Sequence, residues 1–350
     1  MSGGAAGVHD GYVGQSPTAA DPRQRRFDRV LKVLGRSSAD PVRLPSDSND
    51  TWRLGDAVLR ICYRGDRTRF QREALVRAAL PSSAKAPRLL DFGTDGELSW
   101  QVAAWVDGVT LGSAWPGMCV DDQRRAIHQL GSVLAELNAH EFPPAVRAAL
   151  LAPRPVGDVS AAAVIGSDLN PLPLSRARLL LEPAARLPGV DPGLIDALAE
   201  RFDELADVDP LGERARAELG AAGVVHGDAH PLNVVWDGDV VGVLDWEWVR
   251  IGAPELELEP FLYRGYESDP RLMADSGRIL HWLAEAHPAA FAGPDLPRRV
   301  WLIELAYTLR NLLLLPPDRP EPELPADHPL RRLRRIVAGC DHLERTLPQT

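Results

Sequence analysis

The stretch His226-Gly227-Asp228-Ala229-His230-Pro231-Leu232-Asn233, followed by Leu244-Asp245-Trp246-Glu247, decides how this 350-residue chain reads. Short β-branched runs flank it: Val224-Val225 before, then Val234 to Trp236 and Val240 to Leu244, with Asp237-Gly238 as a hairpin signal between the last two. Asp228 therefore follows a strand and a glycine, Asn233 opens a second strand five residues later, and Asp245 ends the returning one. One hairpin spanning residues 224–248 can converge all three oxygen-bearing side chains. Phosphoryl transfer from a nucleotide needs hard oxygen ligands for magnesium, and a carboxylate that orients the acceptor hydroxyl and takes its proton. Asn233 and Asp245 suit the first task, and Asp228 the second. Singly, each could be a turn or cap residue, since Asp and Asn favour turns; their joint spacing between strands is what points to chemistry.

The segments HGDAHPLN and LDW resemble the hallmark of the aminoglycoside phosphotransferase and choline kinase superfamily, HGDxxxxN followed by a strand ending in (I/L)D(W/F). That superfamily is distantly related to the protein kinases. The resemblance implies an α+β, two-lobed protein-kinase-like fold, with an antiparallel sheet and one helix in the first lobe and a mainly helical second lobe. It implies Asp228 as catalytic base, His226 as the residue holding the catalytic loop, and Asn233 and Asp245 as ligands of Mg2+. The co-substrate would be ATP or GTP. Gly252-Ala253-Pro254-Glu255-Leu256-Glu257-Leu258 resembles the family's GxPxxDL segment, with Glu257 where aspartate is usual.

Working outward toward the N-terminus, Phe27, Val30, Leu31 and Leu34 fall at helical spacing over Arg25–Gly35. Strand readings follow at Pro41–Pro45, Thr51–Leu54 and Ala57–Tyr63, then a helix at Phe70–Leu80, then strands at Arg88–Phe92 and Leu98–Val106. Residues 1–22 read as a flexible tail, 23–106 as a nucleotide-binding lobe and 107–350 as a helical lobe. In Ala57-Val58-Leu59-Arg60-Ile61, period-two alternation puts Val58 and Arg60 on one face. By the kinase resemblance that face covers adenine and reaches the phosphates, Arg60 standing where protein kinases have lysine. Glu73, on the following helix, is its implied ion-pair partner, with a solvent-facing position as the alternative. Ser46, Ser48 and Asn49 fall in the turn that would cover the phosphates, and Ala104 and Val106 in the hinge whose backbone would read the base. Asp91-Phe92-Gly93 spells a protein-kinase magnesium motif, but it precedes the HGD segment and reads as a strand end.

Beyond Gly108 the pattern is mainly helical, with readings at Asp122–His140, Ala145–Leu151, Ser175–Arg186, Pro192–Leu205, Glu257–Tyr266, Pro270–Ala286, Arg298–Leu315 and Pro329–Thr346. By resemblance the acceptor site lies among these helices. Glu247, Glu259, Tyr263 and Glu267 are its candidate lining residues, the carboxylates suiting a cationic acceptor. They equally suit ordinary solvated helices.

Composition bounds the reading. Thirty-nine basic against 49 acidic side chains give a net charge of −10, which disfavours a nucleic-acid partner. No apolar run approaches the roughly 20 residues a membrane-spanning helix needs. Cys62, Cys119 and Cys340 are scattered without CxxC spacing, which fits a reducing cytoplasm. The expectation is a cytoplasmic, Mg2+-dependent kinase, monomer or homodimer, phosphorylating a hydroxyl of a small molecule. An antibiotic is the leading acceptor: an aminoglycoside, a nucleoside such as a capuramycin, or a peptide. The alternatives are a metabolic kinase for choline, homoserine or a sugar, a silent nucleotide-binding pseudokinase, and a metal-dependent hydrolase using His226, Asp228 and His230.

Overall fold

The computed structural model describes residues 21–36, 40–46, 49–63, 66, 68–152, 161–166, 172–209, 222–261, 275–293, 295–326, 328–338 and 347. The first helix, α1 (Pro22–Leu34), begins earlier than the periodicity placed it, because the Asp21 side chain caps it by accepting from the Arg23 amide at 2.9 Å. Asp21 and Pro22 therefore belong to the helix rather than to a tail. Gly35, at φ 58°, closes its other end.

Five antiparallel strands form the N-terminal sheet: β1 (Val42–Leu44), β2 (Asp50–Leu54), β3 (Ala57–Cys62), β4 (Leu89–Asp95) and β5 (Leu98–Ala104), in the order β1-β2-β3-β5-β4. Alternation along β3 buries Ala57, Leu59 and Ile61 and leaves Val58 and Arg60 half-buried on the other face. Phe27 and Val30 of α1 pack on Trp52, Leu59, Ile61, Trp100 and Val102, which closes a small core on one side of the sheet. Helix α2 (Arg69–Ala79) connects β3 to β4. Asp91, Phe92 and Gly93 lie on β4 with the phenylalanine ring exposed, so this segment is a strand, as its position in the sequence implied.

The remaining described residues are mostly helical. The long helix Val120–Ala139 directs Ile127, Leu130, Leu134 and Leu137 into a second core, shared with Val234, Val243 and Trp246 and with Leu280 and Leu283 of helix Ser276–Ala286. A third core joins helices Pro192–Glu204, Leu296–Leu314 and Pro329–Val337 through Leu198, Phe202, Leu305, Leu309 and Leu333. The single helix expected at Ser175–Arg186 is broken into Leu174–Ala177, a tighter turn at Arg178–Leu180, and Leu181–Ala185. Pro183 explains the break, since it has no amide hydrogen to donate back to the preceding turn. The helix expected at Glu257–Tyr266 is preceded by a one-turn 3-10 segment, Pro254–Glu257, and its continuation lies outside the described residues.

The hairpin read at residues 224–248 forms as its turn residues dictate. Strands β7 (Val224–Val225), β8 (Val234–Trp236) and β9 (Val240–Val243) surround it, β8 and β9 pairing antiparallel with a bulge between Val235 and Trp236. Two pairings escaped the sequence reading: β6 (Val109–Thr110) adds to the outer edge of β8, and β10 (Arg250–Ile251) pairs with β7. Each is two residues long, too short to show alternation. Among the described residues no helix is long and apolar enough to cross a membrane.

Candidate active site

Asn233 and Asp245 are brought side by side by the hairpin itself. The Leu244 amide donates to the Asn233 carbonyl at 2.7 Å, which closes the β8–β9 ladder at the end where both side chains emerge. Asp245 then turns sharply at φ 65°, a left-handed conformation that aspartate tolerates better than most residues. Asn233 Nδ2 donates to both the backbone carbonyl of Asp228, at 3.0 Å, and its Oδ2, at 2.9 Å. That fixes the amide's orientation, because the nitrogen must face Asp228 and the side-chain oxygen must face away. One carboxylate and one amide oxygen, both hard donors, are thus presented near Asp228, a set that fits magnesium better than a soft metal.

Asp228 is itself held from behind. His226 is fully buried; its Nε2 lies 2.9 Å from the Leu244 carbonyl and its Nδ1 accepts from the Asp228 amide at 3.2 Å. Those partners require the tautomer protonated at Nε2. Burial pushes the imidazole pKa down to about 3, so the ring is neutral, and its edge meets the Trp246 ring at 4.6 Å. Both ring nitrogens are occupied, which removes His226 as a metal ligand and with it the ligand triad that a hydrolase reading needs. Gly227 sits at φ 76°, where a β-carbon would meet the Arg250 guanidinium at 2.7 Å.

Across from the hairpin, Arg60 on β3 gathers three carboxylates. Its Nη2 donates to Asp245, and to Glu247 Oε2 at 2.8 Å, while Nη1 reaches Glu73 at 3.3 Å. Burial alone would lower the guanidinium pKa, but Asp245, Glu247 and Glu73 together hold it above its ordinary value. Glu73 on α2 also accepts from Gln101 Nε2 at 2.9 Å and from Arg77 at 3.3 Å. Burial still raises its pKa above the usual carboxylate value, against the pull of Arg60 and Arg77. The ion pair expected between Arg60 and Glu73 is therefore present, and the solvent-facing alternative for Glu73 is excluded by its 1% exposure.

A cleft of about 390 Å³ opens beside the Arg60–Asp245 contact. Val58, Ala103, Leu232 and Leu244 give it apolar walls, Arg60 and Asp245 its polar end, and Ala104 to Val106 its rim. The Ala104 and Trp105 amides are taken by the carbonyls of Arg88 and Asp56, each at 2.8 Å.

A family model described as the phosphotransferase enzyme family matches residues 42–291. The chain belongs to the phosphotransferase enzyme family. No curated protein matches its sequence. Among solved structures, a thermostable mutant of aminoglycoside phosphotransferase APH(4)-Ia in ternary complex with AMP-PNP and hygromycin B superposes with a TM-score of 0.53 at 18% identity, covering 91% of this chain and 97% of that one. ADP-bound APH(2'')-Ib gives 0.51 at 14%, covering 92% and 97%. The streptomycin-ATP-APH(2'')-IIa complex gives 0.54 at 13%, covering 85% and 91%. At these identities the likeness establishes the fold: α+β, two-lobed and protein-kinase-like.

The phosphotransferase fold brings some sequence candidates together and disperses others. Arg60, Glu73, Asn233, Asp245, Ser46, Ala104 and Val106 all line the cleft, with Ser46 exposed. Asn49 does not. It is 5% exposed, donating to Glu247 Oε2 at 2.9 Å and accepting from Arg69 at 2.6 Å, so it is part of the packing beneath the turn rather than a phosphate-facing group. Glu247, read as a substrate carboxylate, is 3% exposed and bound to Arg60 and Arg69. Glu259, equally buried, lies 3.5 Å from Arg250. Neither carboxylate is open to a cationic acceptor, because each is enclosed with an arginine. Ser48, Tyr263 and Glu267 lie outside the described residues.

The sequence reading missed Glu257 as a positioning group. Its Oε1 accepts from the His226 amide at 2.5 Å and its Oε2 from the Gly227 amide at 3.1 Å. Burial pushes its pKa up to about 7, against the pull of the two amides and Arg250. The signal was its position in the GxPxxDL-like segment, where glutamate reaches as aspartate would.

Proposed function

We propose that the chain is a magnesium-dependent O-phosphotransferase that moves the γ-phosphoryl group of ATP or GTP onto a hydroxyl of a small molecule, an antibiotic. The observation that carries this reading is the convergence of Asp228, Asn233 and Asp245 on one hairpin, with Asn233, Asp245 and Arg60 lining a single cleft of about 390 Å³. Residues 23–106 would form the nucleotide lobe and residues 107–350 the acceptor lobe. The base would lie between Val58 and Ala103 on one side and Leu232 and Leu244 on the other, along the Ala104–Val106 rim. Asn233 Oδ1 and the Asp245 carboxylate would hold Mg2+, which offsets the charge of the phosphate oxygens when bound.

Asp228 would accept the proton of the acceptor hydroxyl as that oxygen attacks. Asn233, bonded to Oδ2, fixes the carboxylate's direction. Arg60 would face the transferring phosphates with a delocalised charge that can engage two oxygens at once. Aminoglycosides appear with the structural neighbours in their own complexes. That supports an aminoglycoside or another hydroxyl-bearing antibiotic, including a nucleoside such as a capuramycin or a peptide, ahead of choline, homoserine or a sugar. The scattered spacing of Cys62, Cys119 and Cys340, without a CxxC pair, supports a cytoplasmic setting. The intact Asp228–Asn233–Asp245 set favours an active enzyme over a pseudokinase.

The test is ADP and GDP release from purified protein with MgATP or MgGTP, across a panel of hydroxyl-bearing antibiotics and metabolites, with mass spectrometry of each acceptor. Gain of one phosphate on one acceptor is the expected outcome. Nucleotide binding without transfer to any member would favour the pseudokinase reading.

A further inference from the structure

Glu247 has no task in the scheme above, yet its side chain is wholly enclosed, at 0% exposure. Its partners come from separate pieces of the N-terminal sheet and its helix. Arg60 on β3 donates to Oε2 at 2.8 Å, Asn49 just before β2 donates to the same oxygen at 2.9 Å, and Arg69 in the first turn of α2 lies 3.3 Å away. Arg69 also donates to Asn49 Oδ1 at 2.6 Å, which closes a ring of polar contacts. Glu247 itself belongs to the hairpin side, two residues beyond Asp245.

Asp245 and Glu247 share one nitrogen of Arg60, but their settings differ. The Asp245 side chain is 28% exposed and lines the cleft, so a ligand can reach it; the Glu247 side chain is sealed. Asp245 would have to release Arg60 to serve as a metal ligand, because one carboxylate would otherwise be shared between two cations. Without the Asp245 contact, the carboxylates still within reach of Arg60 among the described residues would be Glu73, at 3.3 and 3.5 Å, and Glu247, at 2.8 Å. Charge-assisted bonds of good strength are about 2.7–2.9 Å long, so Glu247 supplies the firm contact and Glu73 a looser one.

We propose that Glu247 is a positioning residue: it keeps the Arg60 guanidinium aimed at the phosphate end of the cleft while Asp245 exchanges Arg60 for magnesium. Through Asn49 and Arg69 it also ties the sheet and α2 to the metal-ligand loop. This rests on the magnesium-nucleotide reading of the preceding section. Loss of the Glu247 charge therefore weakens nucleotide capture, and leaves untouched the acceptor's own affinity.

The experiment is calorimetric titration of MgADP and MgGDP into the purified full chain, in wild type, Glu247→Gln, Glu247→Asp and Asn49→Ser, with a melting curve and an acceptor KM for each. Glu247→Gln keeps shape and an acceptor oxygen but no charge. Its dissociation constant for the magnesium nucleotide should rise about tenfold or more, the size of one lost charge-assisted hydrogen bond. The acceptor KM at saturating nucleotide should stay within about twofold, and Glu247→Asp should recover part of the loss. Normal nucleotide affinity in Glu247→Gln alongside a lowered melting temperature would reduce Glu247 to a structural residue and overturn the proposal. If Glu247→Gln does not fold, Asn49→Ser decides: weaker nucleotide binding supports the coupling, and unchanged binding overturns it. A wild-type chain that binds neither nucleotide overturns this proposal and the kinase reading beneath it; normal wild-type binding with indifferent variants overturns this proposal alone.

Discussion

The Glu257 carboxylate spans the two backbone amides that open the turn before Asp228, accepting from His226 at 2.5 Å and from Gly227 at 3.1 Å. The residue that departs from the family's usual aspartate thus still reaches the backbone that positions Asp228. Its setting has a pH signature. Glu257 titrates near 7 in the folded chain, above its ordinary value of 4.5, so its contribution to stability is complete below about 4.5 and is lost as pH rises toward 7. His226 acts in the other direction. With a folded pKa of about 3 against 6.5, its contribution is present above 6.5 and is lost as pH falls toward 3. Between about 4.5 and 6.5 the two slopes oppose each other. Glu257→Gln should remove one of them, so the variant's melting temperature should rise with pH across that window more steeply than the wild type's. Parallel profiles would show that Glu257 titrates elsewhere.

Replacing Asp228 with Asn tests the proposed base. The amide has nearly the same shape and can keep contact with Asn233, but it cannot take a proton. Turnover should fall by about 10²–10⁴-fold, with the dissociation constant for MgADP nearly unchanged. Steady-state kinetics beside calorimetry would check it, and undiminished turnover would remove Asp228 from the role.

For Asp245→Ala the expected loss is in binding. The variant should lose the magnesium-dependent part of nucleotide affinity, so that adding Mg2+ or EDTA no longer changes the titration. If the variant distinguishes MgADP from ADP as the wild type does, Asp245 is not a metal ligand.

Arg60→Ala should be costly in a different way. It removes the cation that Glu73 and Glu247, both almost fully buried, share, leaving Arg77 to the first and Arg69 to the second. Breaking a buried pair from one side costs about 3–5 kcal/mol, so a large drop in denaturation midpoint is expected. Arg60→Lys should fall between, because a single ammonium cannot address three carboxylates with one planar fork. Equal stability of Arg60→Ala and wild type would mean that the cluster relaxes around water.

How much of this was legible in the sequence depends on range. Asp228, Asn233 and Asp245 could be placed because the elements that carry them are adjacent in sequence and joined by a tight turn. Arg60 could be placed because β-strand alternation fixes its face. The Ser175–Arg186 break needed attention to Pro183, whose effect is local and was available. Glu247 and Asn49 were misread for a different reason: residues 198 positions apart in sequence meet in one hydrogen bond, and nothing local says which of two acidic side chains is sealed and which is open. The same limit hid the seating of Glu257, 31 positions beyond His226.

The two-residue strand β6 deserves a mechanical reading. Leaving the rim at Gly108, whose φ of 127° lets it lie against the Trp236 carbonyl, the chain stitches Val109 and Thr110 onto β8. Lys85 adds a second stitch, its carbonyl accepting from the Val243 amide at 3.0 Å. The near bank of the cleft is thus riveted to the hairpin that carries Asn233 and Asp245. The five-stranded sheet meets the same hairpin through buried side chains instead, Arg60 donating to Asp245 and Glu247 and Asn49 to Glu247, so one flank of the cleft is fastened by backbone and the other by charge.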